Sequence, residues 1–144
     1  GGFAQNMQEI GTVMAQNLNI KIFITCNNGY ASIRTSQKSY FNGHYLGCDD
    51  KTGLLLPEWE IFFKAYGIQP IKLNRNNLKE AFISEQLNQS GPEVFLIEAD
   101  PEQTYLPKIM SKINKDGTMV SNPIHLMSPE LEPKLQAFLT PFLQ

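Results

Sequence analysis

The sequence predicts an α/β fold in which a parallel sheet has helices on both faces, giving three layers. Three β-branched, mostly apolar segments predict the strands, namely residues 20–26, 68–73 and 94–99. Segments with helical spacing of apolar residues separate these strands, so helical crossovers join them. Strands joined in this way pair in parallel through right-handed connections. We expect residues 20–26 to form a central strand that is buried on both faces.

The chain begins with a glycine turn and an amphipathic helix. Gly1 and Gly2 allow the backbone to approach a ligand closely, and Phe3 supplies an apolar anchor for the turn. The helix is predicted over residues 5–18. Its apolar residues recur at helical spacing, and they are Met7, Ile10, Val13, Met14 and Leu18.

A polar turn, Asn27-Asn28-Gly29, follows the first strand with side-chain oxygens and a flexible backbone. Ligands of open α/β sheets bind at the carboxyl ends of strands, beside helix N-termini, where free N–H groups and the helix dipole favour an anion. We therefore expect the glycine turn and this polar turn to meet at one anion-binding site.

The following segments complete the predicted sheet. Pro57 opens a helix at a first-turn position, and Gly67 ends it. Asn76 and Asn77 are the predicted N-caps of a helix over residues 78–87. Strands and helices alternate through residue 99, as a parallel α/β domain requires.

The character of the chain changes at Asp100, after which six prolines interrupt it. We predict a cofactor-binding domain over residues 1–100 and an irregular C-terminal tail with one helix over residues 101–144. The helix is expected in the amphipathic segment 131–143. Such a tail has little core of its own, so we expect it to lie over the sheet or over a neighbouring subunit.

Composition excludes several classes of partner. A net charge of −2 over 144 residues gives no electrostatic footprint for nucleic acid or an anionic membrane. The sequence has neither an apolar run long enough to cross a bilayer nor a signal-peptide layout at its start. Its two cysteines, Cys26 and Cys48, are a poor disulfide framework and favour reduced thiols in the cytoplasm.

These motifs resemble those of the diphosphate-binding domain of thiamine-diphosphate enzymes, in the acetolactate synthase-like family. That family carries Gly-Asp-Gly and then, after a helix and a strand, Asn-Asn. Gly1-Gly2-Phe3 is similar to the end of the first motif, and Cys26-Asn27-Asn28-Gly29-Tyr30 is similar to the second. The Asp of the first motif would precede Gly1, and Cys26 stands where the first Asn usually is. We therefore expect the chain to be an N-terminally truncated fragment.

The resemblance implies two cofactors, thiamine diphosphate and Mg²⁺. Mg²⁺ prefers octahedral oxygen ligands, which the family draws from the motif's Asp, an Asn side chain and a backbone carbonyl. Aligned on Gly29-Tyr30, the metal ligands are the Asn27 side chain and the Gly29 carbonyl, with Asn28 as the alternative Asn. The implied cofactor-binding residues are Gly1, Gly2, Phe3, Asn27, Gly29, Tyr30, Ala31, Ser32 and Ile33.

The resemblance also implies a function. The chain would be the diphosphate- and Mg²⁺-binding half of a carbon–carbon lyase or ligase acting on 2-keto acids or related carbonyl substrates. In the family, a Glu on a separate pyrimidine-binding domain, usually from a second subunit, promotes ionisation of the cofactor. We therefore assign no catalytic residue to this chain and expect it to be inactive alone, whereas the full-length protein would be a homodimer or homotetramer.

Simpler interpretations exist for each motif. A Gly-Gly start is often only a loop, and Asn-Asn-Gly is a common turn, but their joint spacing favours a cofactor site. The alternative from another class is a non-catalytic α/β domain that binds another nucleotide cofactor or assembles subunits. A dinucleotide site would require a later glycine, which the first residues lack. Arg34 and Lys38 are interpreted as a solvated face.

Overall fold

The computed structural model describes residues 1–142 and divides the chain into two compact units. The first unit is Gly1–Gln103, and the second begins at Thr104. The first unit contains short 3₁₀ turns and the elements α1 (Ile10–Ala15), β1 (Lys21–Cys26), α2 (Ala31–Tyr40), α3 (Trp59–Ala65), β2 (Ile71–Leu73), α4 (Glu80–Leu87) and β3 (Glu93–Glu98).

A parallel sheet of three strands forms the centre of the first unit, in the order β1-β3-β2. Val94 and Phe95 point to opposite faces of β3, yet both side chains are fully buried. The two crossovers run in opposite directions across the sheet, so right-handed connections place α3 and α4 on opposite faces. The predicted α/β class with helices on both faces is confirmed.

The predicted position of the first strand in the sheet is wrong. β3 is the central strand, and β1 pairs with β3 alone among the described residues. Ile24 of β1 is 6% exposed, but its neighbour Phe23 is 47% exposed and stacks on Phe95 with ring centroids 4.6 Å apart. β1 is therefore buried mainly on one face. An apolar run shows that a strand packs against a core, but strand order depends on which way each crossover turns.

The first helix is shorter than predicted. Two 3₁₀ turns, Phe3–Gln5 and Met7–Glu9, precede α1. The helix ends early because Asn17 adopts the left-handed conformation, with φ of 46°. The Leu18 N–H then donates to the Val13 carbonyl at 3.0 Å, which satisfies an orphan carbonyl of the last turn.

The other helix ends agree only in part with the sequence. Gly67 ends α3 with φ of 81°, as predicted. The predicted N-caps of α4, Asn76 and Asn77, are wrong, because the N-cap is Lys79. The Asn77 side chain accepts from the Asn74 N–H at 2.8 Å and donates to the Lys72 carbonyl at 2.6 Å. It therefore shapes the turn after β2 and does not cap the helix.

The core of the first unit lies between the sheet and the first and third helices. Its buried members are Ile10, Val13, Ile24, Phe63, Ile68, Val94 and Leu96. The ring of Phe3 packs beside this cluster, with its centroid 5.5 Å from those of both Phe63 and Trp59. The predicted anchoring of the glycine turn by Phe3 therefore has a structural basis.

The second unit has more regular structure than the sequence predicts. It contains β4 (Lys108–Ile109), β5 (Ser111–Ile113), β6 (Met119–Ser121), β7 (Met127–Ser128) and α5 (Pro133–Leu139). Two antiparallel pairs form, β4 with β7 and β5 with β6. These strands are not predicted because segments of two or three residues are too short to show a periodic pattern of apolar side chains. No residue of this unit within the described part is buried. Leu143, the end of the predicted amphipathic segment, lies outside the described residues.

Candidate cofactor-binding site

The polar turn after β1 has a backbone that requires glycine at position 29. Asn28 is left-handed with φ of 57°, and the buried Gly29 has φ of 134°. The Tyr30 N–H donates to the Cys48 carbonyl at 2.8 Å. A Cβ atom on Gly29 would overlap that same carbonyl oxygen. The turn is thus pressed against the backbone of the loop at Cys48, and a side chain at position 29 is excluded.

The glycine turn at the start of the chain lies beside this polar turn. A Cβ atom on Gly1 would stand 3.1 Å from Cδ1 of Tyr30, whereas one on Gly2 would meet no described atom within 4 Å. The two halves of the sequence motif are therefore adjacent in space. Gly1 approaches the ring of Tyr30 closely, and the backbone at Gly2 has open space on the side where a Cβ would project.

The predicted residues after the turn form the beginning of α2. Tyr30 is the N-cap, and Ala31, Ser32 and Ile33 make up the first turn, where no side-chain cap occupies the free N–H groups. Ser32 and Ile33 are exposed. The N-terminal end of α2 therefore faces outward at the carboxyl end of β1, which is the arrangement that favours an anion.

Two oxygens of the polar turn are unused by the described residues. Neither the side-chain oxygen of Asn27 nor the carbonyl oxygen of Gly29 accepts a hydrogen bond from residues 1–142. The carbonyl of Asn28, in contrast, accepts from Arg34 Nη2 at 2.8 Å. Neutral oxygens of this kind are ligands that Mg²⁺ accepts. The chemistry of these two donors therefore fits the metal that the sequence motif implies.

Arg34 is buried beside the polar turn. Its interpretation as part of a solvated face is wrong, because the residue is 6% exposed. Helical side chains lean toward the N-terminus of their helix, which brings the Arg34 guanidinium back over the turn that precedes α2. That lean, applied to a cation one turn into a helix after Asn-Asn-Gly, could have revealed the contact. Lys38 is exposed, and it pairs with Glu102 at 2.8 Å.

The loop behind the turn is itself well bonded. The Asp49 carboxylate accepts from the Thr52 N–H at 3.1 Å and from the Thr52 hydroxyl at 2.8 Å. These bonds, together with the charge of Arg34, lower the pKa of Asp49. Cys48 is fully buried beside them. The loop backbone at Cys48, which Gly29 approaches closely, is therefore held in place by a capping box.

The thiol at the end of β1 has no sign of reactivity. Burial, and then the charge of Glu98, raise the pKa of Cys26. A raised pKa keeps the thiol protonated and a poor nucleophile. Cys26 is thus a packing residue beside the turn.

A parallel sheet in which a glycine turn lies beside the polar turn at the carboxyl end of β1 is typical of a cofactor-binding α/β domain. Residues 1–98 match the family described as thiamine pyrophosphate enzyme, C-terminal TPP binding domain, where thiamine pyrophosphate is the same compound as thiamine diphosphate. The chain belongs to this family. The resemblance inferred from the two motifs is confirmed.

Several acetolactate synthases are similar to this chain. One is acetolactate synthase isozyme 2 large subunit of Escherichia coli K12, 28% identical over 109 residues, covering 76% of this chain and 19% of the relative. Another is acetolactate synthase 1, chloroplastic, of Zea mays, 24% identical over 115 residues, covering 77% and 18%. A third, acetolactate synthase of Arthrospira platensis, is 22% identical over 109 residues, covering 76% and 18%. The chain spans less than a fifth of the length of these relatives.

The comparisons establish a thiamine-diphosphate-dependent, acetolactate synthase-like domain. Within residues 1–142, no helix has both the length and the hydropathy that a membrane crossing needs. The same residues contain no cluster of three His, Cys, Asp or Glu side chains arranged around a metal position. The predicted metal ligands, an amide and a carbonyl oxygen, are of a different kind.

Proposed function

We propose that this chain is the diphosphate- and Mg²⁺-binding half of a carbon–carbon lyase or ligase that acts on 2-keto acids or related carbonyl substrates. Family membership supports the thiamine diphosphate part, and the names of the relatives support the reaction class. The observation that carries the metal part is the turn at residues 27–29. There, the side-chain oxygen of Asn27 and the carbonyl oxygen of Gly29 accept no hydrogen bond from the described residues.

The proposed roles follow from the position of each residue. The side-chain oxygen of Asn27 and the carbonyl of Gly29 would bind Mg²⁺. The backbone N–H groups at Gly1 and Gly2 would donate to phosphate oxygens, where the backbone has open space at Gly2. Phe3 anchors that turn. The cofactor would be bordered by Tyr30, Ala31, Ser32 and Ile33.

The contribution of these residues is binding and orientation. When bound, thiamine diphosphate supplies an electron sink for carbon–carbon chemistry. Gly29, pressed against the Cys48 backbone, presents its carbonyl in a direction that the fold has already determined. A ligand oriented before binding loses little conformational entropy when the metal arrives. The turn would therefore fix the diphosphate end of the cofactor relative to the sheet.

The proposal includes partners that lie outside this chain. We infer a pyrimidine-binding domain of the same protein, contributed by a second subunit of a homodimer or homotetramer, and a small carbonyl substrate. A cytoplasmic location belongs to the same proposal, although the name of the Zea mays relative assigns that protein to the chloroplast. The domain boundary at residue 100 also stays a prediction.

We expect this chain alone to turn over no 2-keto acid, and measured consumption of pyruvate by it would contradict that expectation.

Replacing Asn27 with alanine should weaken Mg²⁺-dependent binding of thiamine diphosphate by at least about tenfold. A polar contact to a charged group is worth ~1.5–3 kcal/mol, and the alanine cannot replace the lost oxygen. The measurement is calorimetric titration of the cofactor into full-length protein at fixed Mg²⁺ concentration.

The matched control is Asn28→Gly, which keeps the left-handed backbone at φ of 57° without strain. Its affinity should stay close to that of the wild type. If Asn28→Gly loses binding and Asn27→Ala keeps it, the ligand assignment is displaced by one residue. If neither variant changes the affinity, the metal site is not here.

A further inference from the structure

Arg34 is a buried cation that is bound mainly by backbone carbonyls. It is 6% exposed, and its Nη2 lies 3.6 Å from the carboxylate of Asp49. Hydrogen bonds go instead to the carbonyl oxygens of Asn28 at 2.8 Å, Pro101 at 3.1 Å and Asn27 at 3.5 Å. Removing a guanidinium from water costs free energy that such bonds must offset. The Arg34 side chain is therefore held more by hydrogen bonds to backbone carbonyls than by its ion pair with Asp49.

Two of these carbonyls are consecutive and belong to the polar turn. Nη1 faces the carbonyl of Asn27, and Nη2 donates to the carbonyl of Asn28. The planar guanidinium presents its donors in a rigid fork, so the two peptide groups cannot rotate independently. The next carbonyl, that of Gly29, receives no hydrogen bond from the described residues. The orientation of Gly29 is consequently set by the bonds on either side of it, from Arg34 and from Tyr30 to Cys48.

The third carbonyl belongs to the loop after β3, at the same end of the sheet. Arg34 binds the carbonyl of Pro101, and one helical turn later Lys38 binds the carboxylate of Glu102 at 2.8 Å. α2 thus joins the loops that follow β1 and β3. Of the contacts that these two side chains make with described residues, those of Arg34 alone reach the turn at residues 27–29. Lys38 therefore offers a natural comparison on the same helix.

The charge of Arg34 alone does not explain its position. A cation close to a metal site opposes metal binding, and the Asp49 carboxylate at 3.6 Å offsets part of that effect. The favourable contribution must then come from geometry. A lysine would keep the charge but could not span the three carbonyls with one fork. Charge and geometry can therefore be separated by substitution.

We propose that Arg34 is a positioning residue for the metal ligands, which holds the carbonyls of Asn27 and Asn28 so that the Asn27 side chain and the Gly29 carbonyl converge. This inference rests on the proposed function of the turn. Arg34 itself contacts neither metal nor cofactor. Its loss acts through the turn, so it lowers the affinity for Mg²⁺ and leaves kcat at saturating Mg²⁺ much less affected.

The test compares full-length Arg34→Met, Arg34→Lys and Lys38→Met with the wild type. Mg²⁺ affinity is measured by calorimetry at fixed thiamine diphosphate, and hydrogen exchange of the peptide over residues 27–30 is measured without cofactor. Arg34→Met should weaken Mg²⁺ binding by about 10–100-fold, as the loss of a partner behind a metal ligand typically does. It should also speed exchange of that peptide. Arg34→Lys should fall between Arg34→Met and wild type, and Lys38→Met should match wild type.

The possible failures are distinct from one another. If the wild type binds thiamine diphosphate without any dependence on Mg²⁺, the proposed function of the turn fails. If the wild type depends on Mg²⁺ while folded Arg34→Met has the same Mg²⁺ affinity, the positioning role is overturned and the proposed function stands. Where Arg34→Met does not fold, Arg34→Lys decides, because it keeps the buried cation and the stem. Unchanged Mg²⁺ affinity in Arg34→Lys would then contradict the proposal.

Discussion

Gly29→Ala is expected to destabilise the protein by ~2–5 kcal/mol, adding the cost of a left-handed residue to that of an overpacked contact. The φ of 134° disfavours any side chain, and the new Cβ would overlap the Cys48 carbonyl oxygen. The hydrogen bond from the Tyr30 N–H to the Cys48 carbonyl would break as the turn moves away from the loop at Cys48. Thiamine diphosphate binding should be lost with it. Urea denaturation and calorimetric titration measure the two effects.

Gly53 supplies the matched control for this substitution. It also has a positive φ, 100°, but a Cβ there would meet no described atom within 4 Å. Gly53→Ala should therefore cost only the backbone strain, about 1–2 kcal/mol, and should leave cofactor affinity unchanged. Equal stability losses in the two variants would show that the close approach of Gly29 to Cys48 has no energetic consequence.

Phe63→Ala is expected to lower the free energy of unfolding by about 3–5 kcal/mol, as truncation of a buried aromatic residue generally does. The side chain is fully buried, and its ring lies 5.5 Å from that of Phe3. The cavity would also loosen the anchor of the glycine turn. Cofactor affinity should therefore fall together with stability. The midpoint of urea denaturation reports the first effect, and calorimetric titration reports the second.

Ile61 on the same helix is the control for Phe63. It is 69% exposed, so Ile61→Ala should change stability by no more than about 0.5 kcal/mol. A loss in Ile61→Ala as large as that in Phe63→Ala would contradict the assignment of the core face of α3.

The sequence was sufficient for the class of fold because its signals are local and strong. β-branched runs mark the three parallel strands, and Gly67 marks the end of α3. The two motifs of the first unit also led to the right family. These features depend on residues that are close in the chain, where backbone preference and periodicity act directly.

What the sequence did not reveal depends on contacts between distant residues. The order β1-β3-β2 follows from how the crossovers pack, and no property of the first strand's sequence indicates an edge position. Arg34 also binds the carbonyl of Pro101, far along the chain, and that part of its burial cannot be inferred from the local sequence. The sequence predicts Asn77 as a helix N-cap, but its side chain forms hydrogen bonds with Asn74 and Lys72 in the turn after β2.

The most direct test of the metal site is a crystal structure of the full-length protein with thiamine diphosphate and Mn²⁺ in place of Mg²⁺. Anomalous scattering locates Mn²⁺ independently of how the surrounding turn is built. We predict the metal at about 2.1 Å from both the Asn27 side-chain oxygen and the Gly29 carbonyl oxygen. A metal bound through the Asn28 side chain, or one remote from residues 27–29, would contradict the account.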